Sequence, residues 1–87
     1  MNLTEALTPF FEKLKIYPVT FTYAEKTKRY ISEPIVVDED DPSEYFIVIK
    51  MFNSVGNVSF GYADGNSFKE IEFLGQVEEK DGSWSII

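Results

Sequence analysis

Two residue types with versatile chemistry are missing, because the 87 residues contain no cysteine and no histidine. Without cysteine there is no disulfide framework and no thiolate zinc or iron–sulfur site. Ser–His and Cys–His relays are excluded for the same reason. We therefore expect no catalytic residues, no metal ligands and no cofactor, and we predict that the protein is not an enzyme.

Basic residues are scarce, since 8 Lys and Arg stand against 15 Asp and Glu, for a net charge of −7. Residues 1–37 carry a net charge of +1, whereas residues 38–87 carry −8. A surface of this sign repels phosphate backbones, which makes nucleic acid an unfavourable partner. The imbalance is compatible with a basic protein as partner, but acidity alone more often serves solubility.

Long apolar runs are absent as well. No run approaches the roughly 18 apolar residues of a membrane span, and the first 17 residues lack the continuous apolar core of a secretory signal. We predict a cytoplasmic protein without membrane contact. The length predicts a single domain over residues 1–87.

The most apolar stretch is Tyr45 to Phe52, in which only Lys50 is polar. A short run rich in β-branched and aromatic residues is typical of a strand that is covered on both faces. We expect the stem of Lys50 to lie along the sheet while its amine reaches water. The rest of the chain is interpreted as cover for this strand.

Residues 1–17 carry a helical pattern. Leu3, Leu7, Phe10 and Leu14 follow one another at spacings of four, three and four, which places them on one helix face. Pro9 would remove a hydrogen bond inside a helix but is tolerated in its first turn. We therefore predict a helix over about residues 3–15 that is bent or restarted at Pro9.

Residues 19–87 alternate between short apolar segments and turn signals, which predicts a β-meander or barrel. The expected strands cover residues 19–23, 29–37, 45–52, 58–63, 68–74, and a last hairpin that folds 83–87 onto 75–79 around Asp81-Gly82. The predicted fold class is mainly β (α+β): an N-terminal helix followed by a five- or six-stranded antiparallel sheet. This sheet is expected to curl strongly, as in small SH3- or Sm-like barrels. An open sheet edge would also allow a homo-oligomer.

Several segments between residues 19 and 60 follow a common order. They are Val19 to Tyr23, Arg29, Glu33-Pro34, Tyr45 to Ile47, and Gly56-x-Val58-x-Phe60. Together they resemble a WYL domain, a small Sm-like or SH3-like barrel of bacterial regulators. The resemblance implies a barrel fold and a small-molecule or nucleotide-sensing module. That family's ligand-binding arginines lie on the strand after the glycine, and residues 58–65 contain none, so we carry over the barrel and not the ligand.

The segment before the central strand is an acidic loop. Its carboxylates are the candidate partner-binding residues: Asp38, Glu39, Asp40, Asp41 and Glu44. Their spacing does not match a calcium loop, so a solvated loop or a protein contact is favoured over a metal site. Elsewhere, Glu70 and Glu72 are predicted to share one exposed strand face, where solvation is favoured over catalysis.

Two hypotheses about function follow. The first is a non-enzymatic, acidic protein-interaction module, such as a phage or mobile-element accessory or inhibitor protein that contacts a basic partner. In its sharper form, the acidic face imitates nucleic acid in a basic groove. The alternative is the WYL-like small-molecule or nucleotide sensor.

Overall fold

The structure is a computed structural model that describes residues 1–41 and 43–87. Its elements are α1 (Leu3–Ala6), α2 (Thr8–Leu14), β1 (Phe21–Ala24), β2 (Arg29–Ser32), β3 (Tyr45–Phe52), β4 (Val55–Asp64), β5 (Ser67–Lys80) and β6 (Ser83–Ile86). The six strands pair in chain order, and every pair is antiparallel. The sheet curls into a half-barrel, which confirms the predicted mainly β fold with an N-terminal helix.

The N-terminal helix is divided at the predicted place. Asn2 caps α1, because its side-chain oxygen accepts a hydrogen bond of 2.8 Å from the Glu5 amide and the Glu5 carboxylate accepts one from the Asn2 amide. Since α2 begins at Thr8, Pro9 lies in its first turn, where an N–H has no helical partner. The restart at Pro9 is therefore confirmed. Of the helices in the described part of the chain, none has the length and apolarity to cross a bilayer.

The main core lies between the two helices and one face of the sheet. Its six most deeply buried large side chains are Leu7, Phe11, Ile47, Ile49, Val58 and Val77. On the predicted helix stripe, Leu7 and Phe10 are buried, whereas Leu3 and Leu14 are half-buried against the same cluster. The helix thus packs on its own sheet. Apolar burial of this kind contributes about 1.5–3 kcal/mol for each large side chain.

The central strand is β3, as predicted. Ile47 and Ile49 have no exposed surface, and Val48, which points to the opposite face, is only 7% exposed. Lys50 is exposed. This pattern confirms that the middle of the strand is covered on both sides, although the helices cover only one of them.

Strand β2 is shorter than predicted, ending at Ser32 instead of Val37. Pro34 has no N–H to donate to a ladder, so pairing stops before it. Beyond the proline, an isolated bridge connects this segment to the start of β3, where Ile35 and Tyr45 exchange two hydrogen bonds of 2.8 Å. The segment from 33 to 37 therefore runs along the end of the sheet as an extended loop.

The predicted strands at 68–74 and 75–79 form one continuous strand, β5. Its register against β4 shifts between Val58 and Ser59 and again between Phe60 and Gly61. Because Phe60 pairs with Glu72 and the adjacent Gly61 pairs with Glu70, the two glutamates point to opposite faces. The prediction that they share one exposed face is wrong, since the register shift at Ile71 reverses the alternation.

Candidate functional site

The acidic loop lies on the surface beside the start of β3. All five candidate carboxylates are exposed: Asp38, Glu39, Asp40, Asp41 and Glu44. Pro42, which belongs to the predicted loop, lies outside the described residues. The loop presents these carboxylates at the surface and buries none of them.

Local hydrogen bonds shape this loop. The Asp38 carboxylate accepts a bond of 3.0 Å from the Asp40 amide, and the Asp38 carbonyl accepts one of 3.1 Å from the Asp41 amide. An aspartate that accepts from an amide two residues later forms a tight turn. The turn directs several negative charges outward from a short segment.

Asp41 is held more firmly than its neighbours. Its carboxylate accepts hydrogen bonds from the Ser43 amide at 3.0 Å and from the Tyr45 hydroxyl at 3.4 Å. The hydrogen bonds from Ser43, with a smaller contribution from Tyr45, lower the pKa of Asp41. Asp41 consequently keeps its charge further into acid than an ordinary aspartate does.

Exposed apolar side chains adjoin the loop. Tyr17 is 90% exposed, Val36 is 58% exposed and Val37 is 52% exposed. They line a cleft of about 400 Å³ between the segment after α2 and the extended loop after β2, and Glu33 and Glu39 line the same cleft. We call the whole region the acidic–apolar surface, defined by Tyr17, Glu33, Val36, Val37, Asp38, Glu39, Asp40, Asp41 and Glu44.

Glu33 fixes one charge at the side of this cleft. Its carboxylate accepts a bond of 2.7 Å from the Thr20 hydroxyl and one of 3.1 Å from the Thr20 amide. These two hydrogen bonds, the hydroxyl first, lower the pKa of Glu33. Thr20 therefore fixes the orientation of the Glu33 carboxylate at the cleft and favours its ionised form.

Comparisons with protein-family models, with curated proteins and with solved structures find no match to this chain.

Metal ligation requires several carboxylates that converge on one point. Within residues 1–41 and 43–87, no group of three or more Asp or Glu side chains is arranged to hold a metal ion. The carboxylates of the acidic loop instead point into solvent as separate charges.

Sequence reasoning located the acidic half of this surface but not the apolar half. Tyr17 was assigned to the helical segment, and Val36 and Val37 were assigned to a strand. Pro18 and Pro34 were the available signals, because neither a helix nor a hydrogen-bonded strand continues easily through a proline.

Sequence reasoning also missed a second cleft, on the sheet face away from the helices. Lys50 was expected only to reach water, and Arg29 was placed at the start of a predicted strand without a role in a site. The structure pairs the two residues directly across β2 and β3 and places both in the lining of a cavity of about 510 Å³.

Proposed function

We propose that this chain is a cytoplasmic, non-enzymatic protein-interaction module, and that its acidic–apolar surface binds a basic segment of a partner protein. The observation that carries the proposal is the juxtaposition of three strongly exposed apolar side chains, Tyr17, Val36 and Val37, with the carboxylates that follow them. Exposed apolar surface that is rimmed by charge is typical of interaction sites.

The two halves of the surface have different tasks. Burial of apolar surface supplies affinity at about 25 cal/mol per Å², and an exposed tyrosine is a frequent anchor in interfaces. The carboxylates accelerate the encounter and set the orientation of a basic segment. An apolar side chain of the partner would occupy the cleft while its Lys or Arg residues meet the loop.

Charge within the cleft also orients the partner. Lys15 lines the cleft together with Glu33 and Glu39. A basic segment is repelled by Lys15 and attracted by residues 38–41, so its cations belong on the loop side. The sheet provides a rigid base for this surface, because Ile35 is buried in the core and bonded to Tyr45.

The test is affinity capture of partners from the source cell with three variants beside the wild type. One variant carries D38N, E39Q, D40N and D41N, and a second carries Val36→Ser and Val37→Ser. A charge-matched control carries E12Q, E25Q, D64N and D81N, all at exposed positions outside the surface. We expect both surface variants to lose the protein that the wild type and the control retain.

Circular dichroism and thermal unfolding show whether each variant is folded. Retention of the same partner by both folded surface variants would refute the proposal, as would failure of the wild type to retain any basic protein.

A further inference from the structure

The sheet face away from the helices contains two cations that lie side by side. Arg29 on β2 and Lys50 on β3 are direct cross-strand partners. The next pair along the ladder, Tyr30 and Ile49, faces the helices, so Arg29 and Lys50 face the other way. Like charges that are directly opposite in an antiparallel pair destabilise the sheet.

Among the described residues, no carboxylate lies within ion-pair distance of Arg29 or Lys50. The ion pair found within residues 1–41 and 43–87 joins Lys13 to Glu72 on the helix side, at 3.2 Å. The Nζ of Lys50 lies instead 5.6 Å from the centroid of the Phe52 ring. The Nε of Arg29 is buried without a hydrogen-bond partner, a state that native proteins usually avoid.

The chain has 15 carboxylates and a net charge of −7, so it does not lack residues that could pair with these cations. Two adjacent cations and one unsatisfied buried N–H therefore indicate an anion that comes from outside the chain.

The space beside the cations has the size and lining of a ligand site. The cavity of about 510 Å³ lies within the range of small-molecule pockets. Val48, only 7% exposed, contributes to its lining together with Phe68 and Phe73. The absence of a side chain at Gly61 leaves room for the Phe68 ring on this face. A Cβ at Gly61 would lie 2.8 Å from that ring and would also collide with the Lys69 carbonyl.

Polar groups complete the lining. The Asn57 side-chain oxygen accepts a hydrogen bond of 3.0 Å from Gln76. The Ser59 hydroxyl donates to the Glu70 carboxylate, and both residues line the cavity. Glu70 thereby brings one negative charge into the same cavity as Arg29 and Lys50. A ligand with several anionic groups would be repelled by Glu70, whereas a single anionic head could stay beside the cations.

We propose that this cleft, defined by Arg29, Val48, Lys50, Ser59, Phe68 and Phe73, binds a small organic anion. The ligand would have one phosphate or carboxylate head between Arg29 and Lys50, and a flat apolar body against Val48 and the two phenylalanine rings. The proposal goes beyond the protein-interaction function and does not depend on it, because the two surfaces share no defining residue.

The test is an NMR titration of the isotopically labelled chain with four probes: 1-naphthyl phosphate, 1-naphthoate, inorganic phosphate and naphthalene-1-methanol. We expect saturable shifts of the Val48, Ser59 and Phe68 amides with at least one of the two aromatic anions. The tighter of the two identifies the head group. Phosphate alone and the neutral alcohol are each expected to bind at least about tenfold more weakly, because each lacks one half of the ligand.

Lys50→Gln and Arg29→Gln are each expected to weaken binding of the better anion by about tenfold, since each removes one charge-assisted hydrogen bond. Lys28→Gln, at an exposed position in the turn before β2, is the charge-matched control and should leave binding unchanged. Lys50 is also exposed, so Lys50→Gln decides the outcome if Arg29→Gln does not fold.

Three results would overturn the proposal. They are the absence of saturable shifts with both aromatic anions, equal weakening by Lys28→Gln and Lys50→Gln, and binding of the neutral alcohol as tightly as either anion.

Discussion

One side chain, that of Ser32, supplies a hydrogen bond where the ladder between β2 and β3 ends. The last registered pair between β2 and β3 is Ile31 with Val48. One residue further, the buried Ser32 hydroxyl accepts a bond of 2.9 Å from the Ile47 amide and donates one of 2.8 Å to the Glu33 carbonyl. Ser32 thus satisfies a fully buried amide that the shortened strand could not reach.

Replacement of Ser32 by alanine tests how much the hydrogen bond to the Ile47 amide contributes to stability. Ser32→Ala leaves the Ile47 amide buried without an acceptor, and we expect a loss of about 1–3 kcal/mol in the free energy of unfolding. Urea denaturation measures it. Ser85→Ala, at an exposed position on β6, is the control and should stay within about 0.5 kcal/mol of wild type. Equal losses in the two variants would contradict this role of Ser32.

Glu33 gives a pH-dependent prediction at the same scale. Its pKa is lowered by the Thr20 hydroxyl and amide, so its contribution to stability is present above the unfolded-state pKa and is lost as pH falls through the lower folded-state pKa. Thr20→Val removes the hydroxyl and should raise the pKa of Glu33 towards its ordinary value. A carboxyl NMR titration measures this change.

The matched control for that titration is Thr22→Val, at another exposed position two residues further along the chain, in β1. It should leave the Glu33 titration as in wild type. A Glu33 that titrates at the ordinary glutamate value in the wild-type protein would show that the Thr20 hydrogen bonds are not formed in solution.

At the scale of the elements, the packing of α2 on β5 depends on a close contact between the Phe10 ring and the backbone at Gly75. Gly75 has a φ of +151°, which glycine adopts most readily, and a Cβ built there would lie 2.9 Å from the Phe10 ring. The same residue pairs with Val58, beside one of the register shifts between β4 and β5. The helix therefore sits directly on the backbone of an irregular strand.

We expect Gly75→Ala to destabilise the protein by about 1–3 kcal/mol, through overpacking against Phe10 and strain at the positive φ. The double variant Gly75→Ala with Phe10→Leu separates the two causes. If the contact matters, the double variant should lose less than the sum of the single losses, as measured by a double-mutant cycle in urea. Gly82→Ala serves as the reference for strain alone, because it has a positive φ and no atom near its Cβ position.

The elements also show what the sequence could reveal. Helical spacing located α1 and α2, and unbroken apolarity located β3, because both patterns follow directly from which side chains must be buried. The register shifts in β5 were not predictable, since an extra residue within a strand leaves no distinct pattern in one sequence. For the candidate site, composition alone identified the acidic loop, whereas the exposure of Tyr17 and Val37 depends on the path of the irregular segments that follow α2 and β2.

The whole molecule has two layers, with a smallest dimension of 19 Å. The helices cover one sheet face. On the other face, Phe68 at the start of β5 packs against Gly61 of β4 and covers part of the sheet. The acidic–apolar surface lies beside the start of β3, and the cleft with Arg29 and Lys50 lies on the second face. A six-stranded antiparallel sheet therefore presents two separate surfaces, and variants of one can be tested without disturbing the other.

At this scale the uneven charge predicts how a partner associates. Residues 38–87 carry a net charge of −8, and residues 38–41 are four exposed carboxylates in sequence. Exposed charges are screened over a Debye length of about 8 Å near physiological salt, and attraction between opposite charges acts mainly on the rate of encounter. Raising salt from about 50 to about 500 mM should therefore slow association more than it speeds dissociation. The measurement is surface plasmon resonance with the captured partner.

The variant D38N, E39Q, D40N and D41N should show much of that slowing at low salt and a flatter dependence on salt. It should stay folded and unfold close to the wild-type temperature, because these side chains contribute little to the core and the introduced amide oxygens can still accept the hydrogen bonds that Asp38 and Asp41 accept. The variant E12Q, E25Q, D64N and D81N changes net charge equally and should keep the steep salt dependence if position matters, since steering depends on where charge lies as well as on its sum. Identical rates for the two variants would mean that only net charge acts, and a rate independent of salt in the wild type would leave residues 38–41 as a solubility feature.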